Sequence, residues 1–397
     1  MSLLFTPASL GGVELPNRLV RSATYEGAAL PDGGVGDELL RLYERLAQGG
    51  AGLIITGYLF VEPPGKALPR QMGAHDPALL SGLTRLVEVM HQHGARVALQ
   101  LAHAGRQTTR AICGERPQGP SWQLPDALNQ VSPRAMREDD IARVIAAFGR
   151  AAGLAQAAGA DFVQIHAAHG YLVNQFLSPF FNRRRDAWGG NDANRFRFLR
   201  EIIAEVRRQT GADYPLLVKL NAADHTPRPG LTPPLAARYA AWLAELAVAG
   251  VEVSGGTAFY SFFQSCRGEV PVEELAAALP AWQRPVARYL LGRMRSQEDH
   301  TEGYNLPAAA LLRPALGPVP LIAVGGLRTR EALEGVLARD EARLVSLSRP
   351  FLRQPALPRL LARGDLTRVS CTSCNLCLAA LVRGEPVACR SRGGRHP

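Results

Sequence analysis

Lysine is almost absent from this sequence. Lys66 and Lys219 are the only two lysines in a chain of 397 residues, although lysine and arginine together number 45. The formal net charge of +10 is therefore carried by arginine, and a charge of this sign is also typical of proteins that bind nucleic acids. However, the arginines are scattered along the chain rather than gathered in blocks. We interpret them as a solvated surface and predict no nucleic-acid partner.

Long apolar runs are missing as well. Residues 1–7 lack the charged start and the apolar run of a signal peptide. No run approaches the roughly 20 apolar residues that a membrane helix needs. The composition, with 47% hydrophobic and 20% charged residues, is that of a soluble globular protein. The sequence therefore predicts a cytoplasmic protein that has no membrane partner.

Short apolar runs alternate with helical patterns along most of the chain, which predicts parallel strands joined by helices. The predicted strands are Arg18–Ala23, Gly52–Thr56, Arg96–Leu101, Asp161–His166, Pro215–Leu220, Val251–Ser254, Pro320–Val324 and Arg343–Ser348. The predicted helices cover residues 37–48, 76–93, 137–158, 194–209, 233–249, 305–316, 329–338 and 355–363. This count is that of an α/β fold of the (β/α)8 TIM-barrel type.

The predicted barrel divides the chain into a long domain and a short tail. We assign residues 1–365 to the barrel. An insertion at about 265–303 follows the sixth strand, and we expect it to form a lid or an extra helix. Residues 366–397 form a tail that contains cysteines.

A cluster of side chains that can hold or move protons follows the fourth predicted strand. His166, His169 and Tyr171 lie there within six residues. Because barrel enzymes place their active sites at the C-terminal ends of the strands, we interpret this cluster as the centre of an active site. Most other strands also end in polar residues or glycines: Ser22, Ala23, Thr24 and Tyr25 at the first, Tyr58 after the second, Gln100 in the third, Lys219 in the fifth, Gly325 and Gly326 after the seventh, and Ser348 and Arg349 at the eighth.

Four of these strand ends indicate what is bound. The backbone N–H groups at Gly325-Gly326 and the guanidinium of Arg349 would form a phosphate site. Lys219 lies in a strand that should be buried, and a buried ammonium needs an anionic or strongly polar partner. That partner could be a carboxylate of the protein. Alternatively, Lys219 and the amide of Gln100 could hold a ring that bears alternating carbonyl and N–H groups.

Several longer motifs resemble those of the old yellow enzyme family. They are Asn17–Val20, Gln100–Arg106, Ile165–Leu172, Phe176–Pro179, Asn182–Asp186, Trp188–Gly190 and Asn194–Arg195. This family comprises FMN-dependent ene-reductases and includes the N-terminal domain of 2,4-dienoyl-CoA reductase. The resemblance covers about residues 3–360 and is stronger to the bacterial branch, which has a His-x-x-His motif.

The resemblance implies FMN as cofactor, NADH or NADPH as reductant, and an electron-poor alkene as substrate. It places Ser22, Ala23, Thr24, Tyr25, Tyr58, Gln100 and Lys219 around the flavin ring, and Gly325, Gly326, Ser348 and Arg349 around its phosphate. His166 and His169 match the pair that grips the carbonyl oxygen of the substrate, and Tyr171 matches the proton donor. Relatives form several kinds of assembly, so a homo-oligomer is possible.

The chain departs from the family pattern at three of these positions. Tyr25 stands where relatives have Cys, Thr or His, which changes the room beside the reactive edge of the flavin. Lys219 replaces an Arg, so the charge is kept but the bidentate fork is lost. Ser348 replaces a Gly beside the phosphate-binding Arg349.

Four of the six cysteines, Cys371, Cys374, Cys377 and Cys389, lie close together near the C-terminus. Without a secretion signal, such a cluster indicates metal or redox chemistry before disulfides. The cluster resembles the region that holds a [4Fe–4S] cluster in dienoyl-CoA reductase, although the spacing differs by one residue. A zinc site, a metal-free tail and a redox-sensing disulfide stay open as alternatives.

The sequence therefore predicts an FMN-dependent oxidoreductase that takes hydride from NADH or NADPH and reduces the activated C=C bond of an α,β-unsaturated carbonyl compound. An alternative enzyme is a non-redox barrel, an aldolase or isomerase acting on a phosphorylated substrate, in which Lys219 could form a Schiff base. A third possibility, a nucleic-acid-binding protein, would use the arginines and a zinc-like tail.

Overall fold

The computed structural model describes residues 2–125, 131–258, 260–261, 265–294 and 301–391. Its centre is a closed barrel of eight parallel strands. The strands are Leu19–Arg21, Leu53–Ile55, Arg96–Ala102, Phe162–Ala167, Leu216–Asn221, Gly250–Ser254, Leu321–Val324 and Leu344–Leu347. Every predicted strand overlaps one of them to within one or two residues at either end, so the predicted (β/α)8 fold is confirmed.

The ring closes because the second barrel strand, Leu53–Ile55, pairs in parallel with both the first and the third. A short strand, Leu59–Phe60, extends the pairing of the third. Nearly every residue of the barrel strands is buried. Parallel strands that are covered on both faces read as continuous apolar runs, which is why the sequence revealed them.

Eight helices surround the barrel: Asp37–Gln48, Leu80–His91, Glu138–Ala157, Asp192–Thr210, Pro233–Glu245, Leu306–Leu316, Arg330–Ala338 and Leu357–Arg363. Their apolar residues recur at the helical period, as in Glu138–Ala157, where Ile141, Val144 and Phe148 are fully buried. Asn191 caps the following helix, since its side chain accepts a hydrogen bond from the backbone N–H of Asn194 at 2.9 Å. No helix among the described residues combines the length and the apolar character needed to cross a membrane.

The N-terminal end of the barrel is covered by a hairpin of Ala8–Leu10 and Val13–Leu15. Leu10 and Leu15 pack there against inward-facing residues of the strands, such as Phe162. This apolar cluster fills that end of the barrel. The polar residues therefore gather at the opposite end, where the long connections lie.

Those connections carry short elements of their own. Helix Arg110–Cys113 and the strand pair Gln118–Gly119 and Arg134–Ala135 follow the third barrel strand, and helix Leu172–Leu177 follows the fourth. The predicted insertion at 265–303 contains helices Val272–Ala277 and Arg284–Met294 with a 3-10 turn, Ala281–Gln283, between them. Residues 295–300 of that insertion lie outside the described residues. Further short 3-10 or helical turns are Leu3–Phe5, Pro63–Gly65, Pro77–Leu79 and Arg349–Arg353.

The cysteine-containing tail packs onto the C-terminal face of the barrel. Its helix, Leu376–Val382, buries Ala379 against Val272 and Leu275 of the insertion. Farther on, the backbone N–H of Val387 donates to the carbonyl of Glu26 at 2.8 Å. The tail and the insertion are therefore built into the face that carries the polar strand ends.

Core packing of the outer helices should dominate the stability of the barrel. Replacing the fully buried Phe148 by Ala should lower the free energy of unfolding by roughly 3–5 kcal/mol, because the lost contacts leave a cavity. Urea unfolding followed by circular dichroism measures this. The control is Trp282→Ala, since Trp282 is 78% exposed and its removal should change stability by less than about 0.5 kcal/mol. Equal losses in the two variants would contradict the assigned packing.

Candidate active site

The polar strand ends converge on one cavity of about 1240 Å³, a volume that includes its open mouth. Every residue that the sequence assigned to the flavin or the substrate lines this cavity: Ser22, Ala23, Thr24, Tyr25, Tyr58, Gln100, His166, His169, Tyr171, Lys219, Gly325, Gly326, Ser348 and Arg349. The parallel strands all point their C-terminal ends to the same face. Residues far apart in sequence therefore meet there.

Two imidazoles and a phenol form the centre of the cavity. His166 is buried in the fourth strand, Phe162–Ala167, and Tyr171 stands immediately before helix Leu172–Leu177. The ring centroid of His166 lies 5.1 Å from that of His169 and 4.8 Å from that of Tyr171. The three side chains could therefore contact one small substrate.

His169 is held from several sides. Its backbone has the left-handed φ of 61°, a conformation that is uncommon outside glycine. Its backbone N–H donates to Asn221 Oδ1 at 3.2 Å, and its carbonyl accepts from Gln107 Nε2 at 2.7 Å. The ring Nε2 lies 2.7 Å from Ser254 Oγ. These contacts fix the imidazole at the edge of the cavity, and the sequence alone did not reveal Ser254.

Both imidazoles are neutral near pH 7. Burial lowers the pKa of His166 well below its usual value, and the neighbouring His169 and Lys219 lower it further. Burial, followed by Lys219, lowers the pKa of His169 to about 3. A neutral imidazole carries one N–H donor. The Nδ1 atom of His166 is buried and has no hydrogen-bond partner among the described residues, so it is open to a ligand.

Tyr58 supports Tyr171 through its hydroxyl group. Burial raises the pKa of Tyr171 to about 12, and a hydrogen bond from Tyr58 acts in the opposite direction. The two rings lie 5.1 Å apart, centroid to centroid. Tyr171 is thus protonated and able to donate, and Tyr58 would stabilise the phenolate left behind. The family resemblance placed Tyr58 beside the flavin ring, and the structure brings its side chain against Tyr171 as well.

Lys219 has the anionic partner that its burial requires, and it still faces the cavity. Its Nζ lies 3.3 Å from Glu252 Oε2 and donates to Ser22 Oγ at 2.9 Å. Glu252 is completely buried on the sixth strand, Gly250–Ser254. Sequence reasoning missed Glu252, although a glutamate inside the apolar run Val251–Val253 was a signal that a cation would face it.

Gln100 is linked to the carboxylate of Glu252 through the side-chain amide of Gln164. Its Nε2 donates to Gln164 Oε1 at 2.5 Å, and Gln164 Nε2 donates to Glu252 Oε2 at 3.1 Å. Gln100 therefore keeps its carbonyl oxygen as an acceptor. A ring N–H in the cavity could donate to it.

The predicted phosphate-binding residues contact side chains and backbone groups that the sequence did not reveal. Gly325 and Gly326 have φ of 128° and 72° and lie so close to Tyr304 that a Cβ atom on Gly326 would stand 2.5 Å from its ring. Only glycine fits at these two positions. The guanidinium of Arg349 donates to the carbonyl of Arg267 at 2.9 Å and also to Asn375 Oδ1. Arg349 thus joins the cavity to the insertion and the tail.

A second cavity, whose volume of about 310 Å³ includes its open mouth, is lined by the four tail cysteines, Cys371, Cys374, Cys377 and Cys389. Arg349 and Leu352 line both cavities. All six cysteines are free thiols. Within the described residues, no group of three or more His, Cys, Asp or Glu side chains is placed to hold a metal ion. The four cysteines therefore line a common cavity, and their side chains do not converge on one point.

The tail also forms a wall of the main cavity. Leu378 and Leu381 from the tail helix line it beside Tyr25. Tyr25 packs in one apolar cluster with Cys377 and Val387, and its ring stacks on Tyr58 at 6.0 Å. The tail thus helps to exclude water from the site.

Comparison with known proteins identifies the family of the chain. The profile of the NADH:flavin oxidoreductase / NADH oxidase family matches residues 3–256. The chain is 32% identical over 384 residues to a 4,4'-dithiodibutanoate disulfide reductase from Rhodococcus erythropolis, covering 96% of this chain and 93% of that protein. It is 34% identical over 364 residues to an NADPH dehydrogenase from Halalkalibacterium halodurans, covering 90% of this chain and 93% of that protein.

Other similar proteins are longer or are known as structures. An NADH oxidase from Thermoanaerobacter brockii is 31% identical over 94% of this chain, which spans 53% of that protein. Morphinone reductase in complex with tetrahydroNAD superposes with a TM-score of 0.72 at 25% identity, covering 92% of this chain and 91% of that chain. A 2-naphthoyl-CoA reductase complex, with a TM-score of 0.84 at 23% identity over 98% of this chain and 56% of that chain, shares the fold.

The neutral imidazoles should make the protein sensitive to acid. The unfolded chain binds protons at His166 and His169 below about pH 6.5, whereas the folded protein resists this because burial lowers both pKa values. Stability should therefore fall as the pH drops from about 6.5 towards 3. The double variant His166→Asn/His169→Asn should show a smaller loss between pH 7 and pH 4.5, measured by urea unfolding. An unchanged pH dependence would contradict the assigned neutral state.

Proposed function

The chain belongs to the NADH:flavin oxidoreductase family, which is also called the old yellow enzyme family, and on that premise we propose that it reduces the activated C=C bond of α,β-unsaturated carbonyl compounds. It is an NAD(P)H:flavin oxidoreductase of the old yellow enzyme type. The observation that carries the proposal is the placement of His166, His169 and Tyr171 in one cavity with Lys219 and Gln100. Family membership sets aside the aldolase or isomerase alternative.

The residues of the cavity fit FMN. The ammonium of Lys219 has three N–H donors, of which the contacts with Ser22 and Glu252 use two. Gln100 keeps its carbonyl oxygen. Ser348 and Arg349 lie together with the glycine pair at the C-terminal ends of the seventh and eighth strands, where barrels frequently bind phosphate. Lys219 and Gln100 would hold the ring, and Arg349 and its neighbours would hold the phosphate.

When bound, FMN supplies the hydride, and the side chains prepare the alkene to accept it. His166 and His169 would donate N–H groups to the carbonyl oxygen of the substrate and stabilise the negative charge that develops there. Since both imidazoles are neutral, they polarise the carbonyl without protonating it. Tyr171 would deliver a proton to the α-carbon as a general acid, and Tyr58 would stabilise the resulting phenolate.

We further propose that the tail cysteines hold a [4Fe–4S] cluster rather than zinc. A single zinc ion needs four ligands that converge within about 2.3 Å of one point. The four cysteines here line one cavity, but among the described residues no three such side chains are placed to hold a single metal ion. A cubane cluster takes one thiolate at each iron and therefore fits ligands that surround a space.

Reduction of disulfides is a second candidate activity. Cys266 is among the residues that line the main cavity, and a relative that is 32% identical is a 4,4'-dithiodibutanoate disulfide reductase. The protein should then oxidise NADPH when 4,4'-dithiodibutanoate is added and release two thiols for each disulfide. Absence of thiol release by a protein that reduces enones would exclude this candidate.

The proton-donor role of Tyr171 can be separated from flavin reduction. The purified protein should be yellow and should bleach anaerobically when NADPH is added. Tyr171→Phe should slow reoxidation by 2-cyclohexenone by about 10²–10⁴-fold, the range for loss of a general acid, and leave bleaching by NADPH largely unchanged. Stopped-flow absorbance measures both steps.

Tyr289→Phe is the matched control, because Tyr289 is 63% exposed on the insertion helix. It should behave as the unmodified protein in both steps. Equal slowing of both steps in Tyr171→Phe would exclude its role as proton donor. A colourless protein that takes up no FMN would refute the proposed function itself.

The cluster can be tested by analysis of protein purified without oxygen. We expect iron and acid-labile sulfide in equal amounts, and a paramagnetic signal after reduction with dithionite. Cys374→Ala should lose most of the iron, because it removes a ligand. Cys113→Ala should keep it, since the Cys113 thiol donates to the carbonyl of Glu115 at 3.1 Å and does not line the second cavity. Zinc in place of iron, or no metal, would refute the cluster.

A further inference from the structure

Glu252 is a fully buried carboxylate that accepts hydrogen bonds from side chains at the base of the cavity. One oxygen accepts from Ser22 Oγ at 2.7 Å and from Ser346 Oγ at 2.9 Å. The other accepts from Gln164 Nε2 at 3.1 Å and lies 3.3 Å from Lys219 Nζ. A carboxylate offers about four lone-pair sites, and all four have donors here. Gln164, Lys219 and Ser346 lie in three different strands of the barrel, and Ser22 directly follows a fourth.

The carboxylate is charged in the folded protein. Burial alone would raise the pKa of Glu252, but Lys219 and the hydroxyls of Ser22 and Ser346 lower it below its usual value. Lys219 is the one charged group among the four donors. Lys219 and Glu252 therefore place equal and opposite charges beside the cavity. The negative charge lies on the side away from the cavity, since Lys219 lines the cavity and Glu252 does not.

We propose that Glu252 is a positioning residue that lowers the reduction potential of the bound flavin by compensating the charge of Lys219. The inference rests on the proposed binding of FMN. An ammonium beside the flavin favours the negatively charged reduced ring, and a carboxylate 3.3 Å behind that ammonium weakens its field at the ring. The flavin is then a stronger hydride donor towards the alkene than it would be beside an unpaired lysine.

Glu252 also acts on the geometry of the site through its neighbours. Lys219 is held towards Ser22 on the first strand, and Gln164 holds the amide of Gln100 in its orientation. A change at Glu252 could therefore move these groups as well as remove a charge. The experiment has to separate the two effects.

The test is the midpoint potential of the flavin-loaded protein, measured by anaerobic spectrophotometric titration against reference dyes. Glu252→Gln keeps the size of the side chain and an acceptor oxygen but removes the charge. Relative to the unmodified protein, the equilibrium should shift at least tenfold towards the reduced flavin, which corresponds to about 30 mV for a two-electron couple. A shift of less than twofold would overturn the proposal.

Two controls separate charge from structure. Ser346→Ala removes one hydrogen bond to the carboxylate and keeps its charge. The equilibrium between oxidised and reduced flavin should therefore shift by less than about threefold. Glu62→Gln removes another buried glutamate, which is paired with His103 and Arg143 on a different part of the protein, and the potential should stay the same. A shift in Ser346→Ala as large as in Glu252→Gln would assign the effect to structure and overturn the proposal.

A further variant covers the case in which Glu252→Gln does not fold because Lys219 is left buried without its partner. It is the double variant Lys219→Gln/Glu252→Gln, which leaves neither charge unpaired. If Glu252 compensates the charge of Lys219, the equilibrium between oxidised and reduced flavin in this variant should stay within about threefold of that in the unmodified protein, and a shift of about tenfold towards the oxidised flavin would overturn the proposal. A protein without flavin would refute the proposed function, whereas a flavin-loaded Glu252→Gln protein with an unchanged potential would refute only the role of Glu252.

Discussion

The parallel register of the barrel strands is the constraint on which the site depends. In this register Lys219 stands beside His166 on one side and beside Glu252 on the other, and Gln100 stands beside Gln164. Each pair is fixed by backbone hydrogen bonds of the sheet. A slip by one residue would turn all of these side chains to the opposite face. The ladder of the barrel therefore assembles the polar base of the cavity.

The electrostatics of the site follow from this arrangement. A buried ammonium is costly unless an anion lies beside it, and Glu252 meets that need from within the barrel. The charge of Lys219 is retained, and it contributes to keeping the two histidines of the cavity neutral. Neutral imidazoles can donate to a carbonyl oxygen without taking part in proton transfer. In the proposed mechanism that task falls to Tyr171, whose phenol stays protonated because burial raises its pKa.

The tail contributes part of the wall of the main cavity, and the insertion is joined to it through Arg349. The barrel alone would leave the cavity open above Tyr25, and Leu378 and Leu381 of the tail line it there. Arg349 lies at the junction, because its guanidinium contacts the carbonyl of Arg267 in the insertion and Asn375 in the tail. The cavity of the cysteines and the main cavity thus share one arginine. A structural change in the cysteine region would therefore also alter the wall of the main cavity.

The amino-acid sequence by itself determined the barrel and most of the side chains at its mouth. Each of the eight strands was found within a few residues, because a strand buried on both faces leaves a continuous apolar run that can be recognised locally. His166, His169 and Tyr171 were found for a similar reason, since they directly follow such a run. Long family motifs then supplied the expected roles of Gln100 and Lys219.

Only the tertiary structure decided which of these groups meet. Glu252 became the partner of Lys219 through the register of two strands that are separated by a helix, and no local pattern reports that register. The contact between Tyr58 and Tyr171 and the sharing of Arg349 by two cavities arise from loops that pack together on one face. Periodicity records whether a residue is buried, whereas the identity of its neighbours depends on how distant segments of the chain are brought together.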